Sequence, residues 1–152
     1  MPRKGKHSEL GEVYTPPKII QSMIDELKNE INCSEDDFKS QTHTWLEPGF
    51  GDGRILFKLK EVLLSYGHDE ENVLSRLYGI EINPESCQKG ILKLYGDGEL
   101  TEITNQHSKV RRWRHSKWGE IRNLVCTNLF DYEHNFGNTI NLFGNNLFEL
   151  EQ

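Results

Sequence analysis

Cysteine is scarce in this chain. Cys33, Cys87 and Cys126 are odd in number, far apart and in no ligand-like spacing. That excludes a disulfide framework and a zinc site built on paired cysteines. The expectation is free thiols in a reducing, cytoplasmic setting. No apolar run approaches the ~20 residues that a membrane helix needs, and no signal-peptide pattern is visible, so no membrane partner is expected. Internal repeats and low-complexity segments are also lacking. Excess positive charge is missing too: Lys and Arg number 18 against 24 Asp and Glu, for a net charge of −6. A contact with nucleic acid must therefore come from a local basic patch. What remains is a chain of 152 residues, 35% hydrophobic and 28% charged, enough for one domain with a real core.

The most informative stretch present is Trp45-Leu46-Glu47-Pro48-Gly49-Phe50-Gly51-Asp52-Gly53-Arg54-Ile55-Leu56. It reads as a strand end, a glycine-rich turn and the first turn of a helix. Glycines at alternate positions let the backbone turn sharply and approach a ligand closely. The N–H groups at the start of the following helix suit a polar or anionic group. A tight strand-to-helix corner without a ligand has the same local pattern.

Residues 1–9 form a short basic tail, expected to be solvated. Thr15 and Pro16 read as the cap and first residue of a helix. Its apolar face would comprise Ile19, Ile20, Met23, Ile24, Leu27 and Ile31. Residues 32–42 read as a polar connection or a capped helical turn. A strand over 43–47 enters the glycine turn. A helix from about 54 to 66 follows, with Ile55, Leu56, Leu59, Val62 and Leu63 buried. Residues 68–76 read as a linker with room for a helical turn. Leu77–Ile82 is a second strand, and Asn83-Pro84 caps and starts a helix facing inward with Cys87, Ile91 and Leu94. Helix, strand, helix, strand and helix in that order predict a parallel sheet covered by helices.

Residues 96–120 look less regular. Within them, Arg111, Arg112, Trp113, Arg114 and Lys117 combine basic and aromatic groups. That suits either a DNA edge, with arginines on phosphates and tryptophans stacking, or an exposed hairpin or helix whose tryptophans dock on the core. Residues 121–127 read as a third strand and 138–143 as a short fourth.

An acid at the end of the second strand grips ribose hydroxyls in nucleotide-binding α/β units, and Glu81 holds that position. A second acid, Glu47, precedes the glycine turn. It would repel a pyrophosphate but suits a cationic ligand, such as a sulfonium nucleoside with an amino-acid tail.

Glu47-Pro48-Gly49-Phe50-Gly51-Asp52-Gly53 resembles the cofactor motif of S-adenosylmethionine-dependent DNA adenine-N6 methyltransferases. Gly79-Ile80-Glu81-Ile82-Asn83-Pro84 is similar to that family's second motif, and Gly11-Glu12-Val13-Tyr14-Thr15-Pro16-Pro17 to the segment before its first strand. The resemblance covers about residues 10–136. It implies a Rossmann-like class I methyltransferase core, with a mostly parallel sheet truncated to about four strands and flanked by helices. It implies S-adenosyl-L-methionine as cofactor, with Thr15 facing its carboxylate. Glu47, Gly49, Phe50 and Gly51 would line the methionine and sulfonium region, Glu81 would hold the ribose, and Ile82 would lie against the adenine. Asn128 falls where the family has an Asp that accepts from the adenine amine; an amide oxygen still accepts, without charge.

The family's acceptor motif, Asn/Asp-Pro-Pro followed by an aromatic, finds its best match in Gly144-Asn145-Asn146-Leu147-Phe148. Asn145 would accept from the target amine, and Phe148 would stack on a flipped adenine. Both prolines are missing. The family's later strands and target-reading region have no counterpart here. The expectation is a cofactor-binding part completed by a partner chain or a second copy, in a restriction-modification setting, or else a non-catalytic module.

Overall fold

The computed structural model describes residues 16–27, 29–30, 33–105 and 107–132. Thr15, Asn145, Phe148 and the predicted strand over 138–143 lie outside the described residues.

Helix α1 (Pro17–Leu27) starts behind Pro16, whose carbonyl accepts from the Ile19 and Ile20 amides at 3.0 and 3.1 Å. Its buried stripe is narrower than its sequence suggests. Ile20 and Ile24 are buried, while Ile19 and Met23 are 51% and 44% exposed. Strands β1 (Asn29–Glu30) and β2 (Cys33–Ser34) form a two-stranded antiparallel pair. Helix α2 (Glu35–Lys39) follows, with three acids in its first turn and Phe38 fully buried. The acids complement the positive end of the helix.

Strand β3 (Trp45–Pro48), helix α3 (Arg54–Ser65), helix α4 (Glu70–Leu74), strand β4 (Leu77–Glu81) and helix α5 (Pro84–Tyr95) keep the predicted order, with α4 formed inside the connection at 68–76. Asp69 caps α4, its side chain accepting from the Asn72 amide. Asn83 caps α5, with Pro84 in the first turn. Leu56, Leu59 and Leu63 of α3 and Cys87, Ile91 and Leu94 of α5 are buried in the core cluster. Arg76 ties the bases of β3 and β4 together. It donates to the His43 carbonyl and to His68 Nδ1, both at 2.8 Å.

Strands β5 (Leu100–Glu102), β6 (Arg111–His115) and β7 (Gly119–Cys126) complete a five-stranded sheet in the order β3-β4-β7-β6-β5. The β3–β4 and β4–β7 pairings are parallel, and the β7–β6 and β6–β5 pairings are antiparallel. The sheet is thus mixed rather than mostly parallel, and it has five strands where about four were expected. The added strands come from 100–115, a stretch whose charge conceals an alternating pattern. Trp113 and His115 are buried on one side, at 2% and 1% exposure.

The hairpin is fastened to the C-terminus of α5. The carbonyls of Leu94, Tyr95 and Gly96 accept from Lys60 Nζ at 2.6 Å, Trp118 Nε1 at 2.8 Å and His115 Nε2 at 2.8 Å. His115 Nδ1 also accepts from the Lys117 amide at 3.0 Å, so its proton sits on Nε2. These donors satisfy carbonyls that a helix end leaves without partners.

This is an α/β fold, a mixed sheet flanked by helices, compatible with a Rossmann-like arrangement but not specific to it. Cys87 and Cys126 are free and buried. Among the described residues, no helix is long and apolar enough to cross a membrane, and no cluster of His, Cys, Asp or Glu could hold a metal.

Candidate functional site

Open α/β sheets bind ligands beyond the carboxyl ends of their parallel strands. Three such ends meet here: Pro48 of β3, Glu81 of β4 and Cys126 of β7. Between β3 and α3, Gly49, Gly51 and Gly53 have φ of +87°, +60° and +87°, in the left-handed region that favours glycine. The amides of Gly49 and Phe50 both donate to the Ile80 carbonyl, at 2.6 and 3.1 Å. The turn is thereby pinned to the end of β4. No side chain caps α3 among the described residues.

Glu81 closes the arrangement. Its Oε1 accepts from the Gly51 amide at 2.8 Å and its Oε2 from the Asn83 amide at 2.8 Å. One buried carboxylate thus spans the glycine turn and the start of α5. Its backbone carbonyl accepts from Thr127, tying in the end of β7. Each carboxylate oxygen can accept more than one hydrogen bond, so capacity remains for ligand hydroxyls.

Glu47 is half-buried near the end of β3, and burial pushes its carboxyl up to about 6. A cation placed beside it would recover part of that desolvation cost. A Cβ built on Gly49 would meet nothing within 4 Å, so its outer side is open. Ile82, just past β4, is 61% exposed and offers an apolar surface next to Glu81. Asn128 is exposed beyond β7, and its Oδ1 accepts from the Phe130 amide at 2.9 Å. That bond occupies part of the amide oxygen's capacity. Leu129 and Phe130, which sequence reasoning did not single out, are 45% and 91% exposed on the same loop.

Phe50 departs from its expected place. It is only 5% exposed, and its ring fills a slot between two glycines. A Cβ on Gly79 would lie 2.5 Å from Phe50 Cδ2, and one on Gly90 would lie 2.6 Å from Phe50 Cε1. Phe50 is a core residue whose ring anchors the turn from below. The slot also explains a glycine in mid-helix: a Cβ on Gly53 would come within 2.9 Å of the Gly90 Cα.

The basic stretch is likewise re-sorted. Trp113 is buried and has no face to offer a base. Arg111 is bonded to both carboxylate oxygens of Glu102, at 2.9 and 2.8 Å, and lies 5.6 Å from the Trp113 ring centroid. The bonds from Arg111 hold the Glu102 carboxyl down at about 2. Arg112, Arg114 and Lys117 remain, half-buried or exposed.

A groove of about 460 Å³, lined by Pro17, Ile20, Arg54, Phe57 and Lys93 among others, lies on the helical layer. Its lining includes neither Glu47, Glu81 nor Ile82, so it is separate from the strand-end site. Comparison with protein-family models, with curated proteins and with solved structures gave no match.

Proposed function

We propose that this chain binds S-adenosyl-L-methionine at the strand ends and is a DNA adenine-N6 methyltransferase, or the cofactor-binding part of one. The observation that carries the reading is the Glu81 carboxylate, fixed by the Gly51 and Asn83 amides at 2.8 Å each. It stands where an acid that recognises ribose hydroxyls belongs, beside a glycine turn bearing a second, desolvated acid.

The residues present suit that cofactor. Glu47 supplies negative charge for a sulfonium or ammonium group, and Gly49 leaves room beside it. Ile82 supplies an apolar face for the adenine, and Asn128 remains as a neutral acceptor. When bound, the cofactor supplies an electrophilic methyl group. In the resemblance, Asn145 would accept from the target N6 amine and Phe148 would stack on the flipped base, so that positioning rather than a general base drives in-line attack.

A second reading keeps cofactor binding without catalysis. It is favoured by the lack of both prolines in Gly144-Asn145-Asn146-Leu147-Phe148, since prolines would fix the backbone that aims the acceptor carbonyl. Radiolabelled methyl transfer to mixed-sequence DNA, by the chain alone and with candidate partner chains, separates the two readings.

Cofactor binding is tested by thermal unfolding. At a hundred times the dissociation constant, S-adenosylmethionine or its demethylated product should stabilise the fold by about 2.7 kcal/mol. In a domain of this size that raises the midpoint by roughly 5–10 °C. No shift at millimolar cofactor would remove both readings.

A further inference from the structure

Charge in this chain is segregated. Between residues 107 and 122 there are six Lys and Arg (Lys109, Arg111, Arg112, Arg114, Lys117 and Arg122) against one acid, Glu120. That segment carries +5 in a chain of −6, which leaves −11 on the remainder. Such asymmetry marks a local anionic partner rather than a general property of the surface.

The hairpin decides which cations are available. Side chains alternate along a strand, and Arg111, Trp113 and His115 share one side of β6. Arg111 is spent on Glu102. Arg114 is exposed on the opposite side, and Arg112, half-buried where the β6–β7 register shifts between Arg111 and Trp113, falls on that side by alternation. Arg114 lies directly across from Glu120 on β7, and Arg122, two residues on, shares that side. The Arg122 side chain is 78% exposed and reaches Glu120 only at 3.8 Å. Lys109 and Lys117 are exposed just beyond the two ends of β6. Three guanidinium groups on a sheet face, with one carboxylate among them and a lysine past each end, suit a repeating row of phosphates. The aromatic beside them, Trp118 in the turn between β6 and β7, is 36% exposed but held against α5, its Nε1 donating to the Tyr95 carbonyl and its ring packed edge-on against Tyr95.

We propose that the outward face of the β6–β7 hairpin, through Arg112, Arg114 and Arg122, binds the phosphodiester backbone of a nucleic-acid duplex without reading its sequence. The surface does not depend on the cofactor reading. It differs from the stretch that the sequence suggested: Arg122 joins it, and Arg111 and Trp113 leave it.

The test is fluorescence anisotropy of labelled 20-base-pair DNA and RNA duplexes at low salt, using the full chain. The triple variant R112Q/R114Q/R122Q should lose at least tenfold in affinity. Its slope of log K against log salt should become shallower by about 2–3, since each phosphate that is no longer neutralised on B-DNA accounts for about 0.9. The control K58Q/K93Q removes two cations from the helical layer and should bind as the wild type does. Thermal unfolding checks that both variants are folded. Preference for one duplex identifies the source of the phosphates, and equal binding of both supports a backbone-reading face. Absence of wild-type binding overturns the proposal, as does equal loss in the two variants or wild-type affinity in the triple variant. A chain that binds the duplex but shows no thermal shift with S-adenosylmethionine keeps this surface and loses the cofactor reading.

Discussion

Where β7 pairs with β4, at Leu124–Cys126, every residue is buried, although Cys126 also pairs with Arg111 of β6; over Gly119–Ile121, which pairs with β6 alone, burial changes from residue to residue. One eight-residue strand follows two rules, because its two ends have different surroundings. The parallel half is covered and apolar, and all five residues of β4 beside it are buried as well, the carboxylate of Glu81 included. The antiparallel half faces the core on one side and leaves arginines on the other. Their polar groups differ in kind as well. At the parallel strand ends a buried carboxylate holds backbone amides, while on the hairpin a carboxylate and an arginine, each about a third or more exposed, hold each other. The first arrangement determines local backbone geometry; the second decorates a surface.

That contrast yields paired experiments. The largest effect is expected at glycines. Gly53 and Gly119 both have positive φ, but a Cβ on Gly53 meets backbone at 2.9 Å and one on Gly119 meets nothing. Gly53→Ala should cost about 3 kcal/mol, combining backbone strain with a clash that cannot relax cheaply. Gly119→Ala should cost about 1 kcal/mol, from strain alone. Urea unfolding of both variants measures the difference, and equal costs would contradict the tight packing of the turn.

Acids come next. Glu81→Gln sets an amide N–H against one of the two amides that the carboxylate now accepts from, and should cost about 2 kcal/mol without any ligand. Any thermal shift with S-adenosylmethionine should also be lost. Glu102→Gln breaks an exposed pair and should cost below about 1 kcal/mol. If the hairpin variant proves the worse, the division between the halves is wrong.

The smallest effect is a pH dependence. Burial raises the Glu47 carboxyl from its ordinary 4.5 to about 6. The folded state therefore holds more protons than the unfolded one between those values. Stability from this group is greatest below the lower value and is lost as pH rises through about 6, by an amount of order 1 kcal/mol. A bound cation favours the ionised form, so cofactor affinity should fall as pH drops below 6. Calorimetric titrations at pH 5 and 7 read that change, and Glu47→Gln should flatten it.

Much of the parallel half was legible. The Asn83-Pro84 cap, the glycine turn and the helical stripes lie within short windows, and the observed elements begin and end within a few residues of them. Local signals of this kind depend on near neighbours. The slot around Phe50 was not legible, because Gly79 and Gly90 come from elements remote in sequence. A glycine in mid-helix is ordinarily a weak point, but beside Phe50 and Gly53 Gly90 is the residue that fits. Strands β5 and β6 are hard to read locally, because Arg-Arg-Trp-Arg-His has only two buried residues and suits a hairpin or a helix alike. Their pairing depends on contacts with β7. The docking of Trp113 on the core was one of the two readings that the sequence left open, and it is the one observed. Of the candidate site, the place of Glu81 at the end of the second strand was legible from spacing, while the role of Ile82 came from the resemblance. That Glu81 also holds the turn together needed the fold.

The last turn of α5 has a mechanical consequence. Its carbonyls at 94, 95 and 96 are held by Lys60 from α3 and by Trp118 and His115 from the hairpin. The same helix starts at Asn83, beside the carboxylate that grips the glycine turn. Fraying of its far end would therefore release the bonds from Trp118 and His115 as well, and helix α5 is the tie rod that joins the hairpin at one end to the glycine turn at the other.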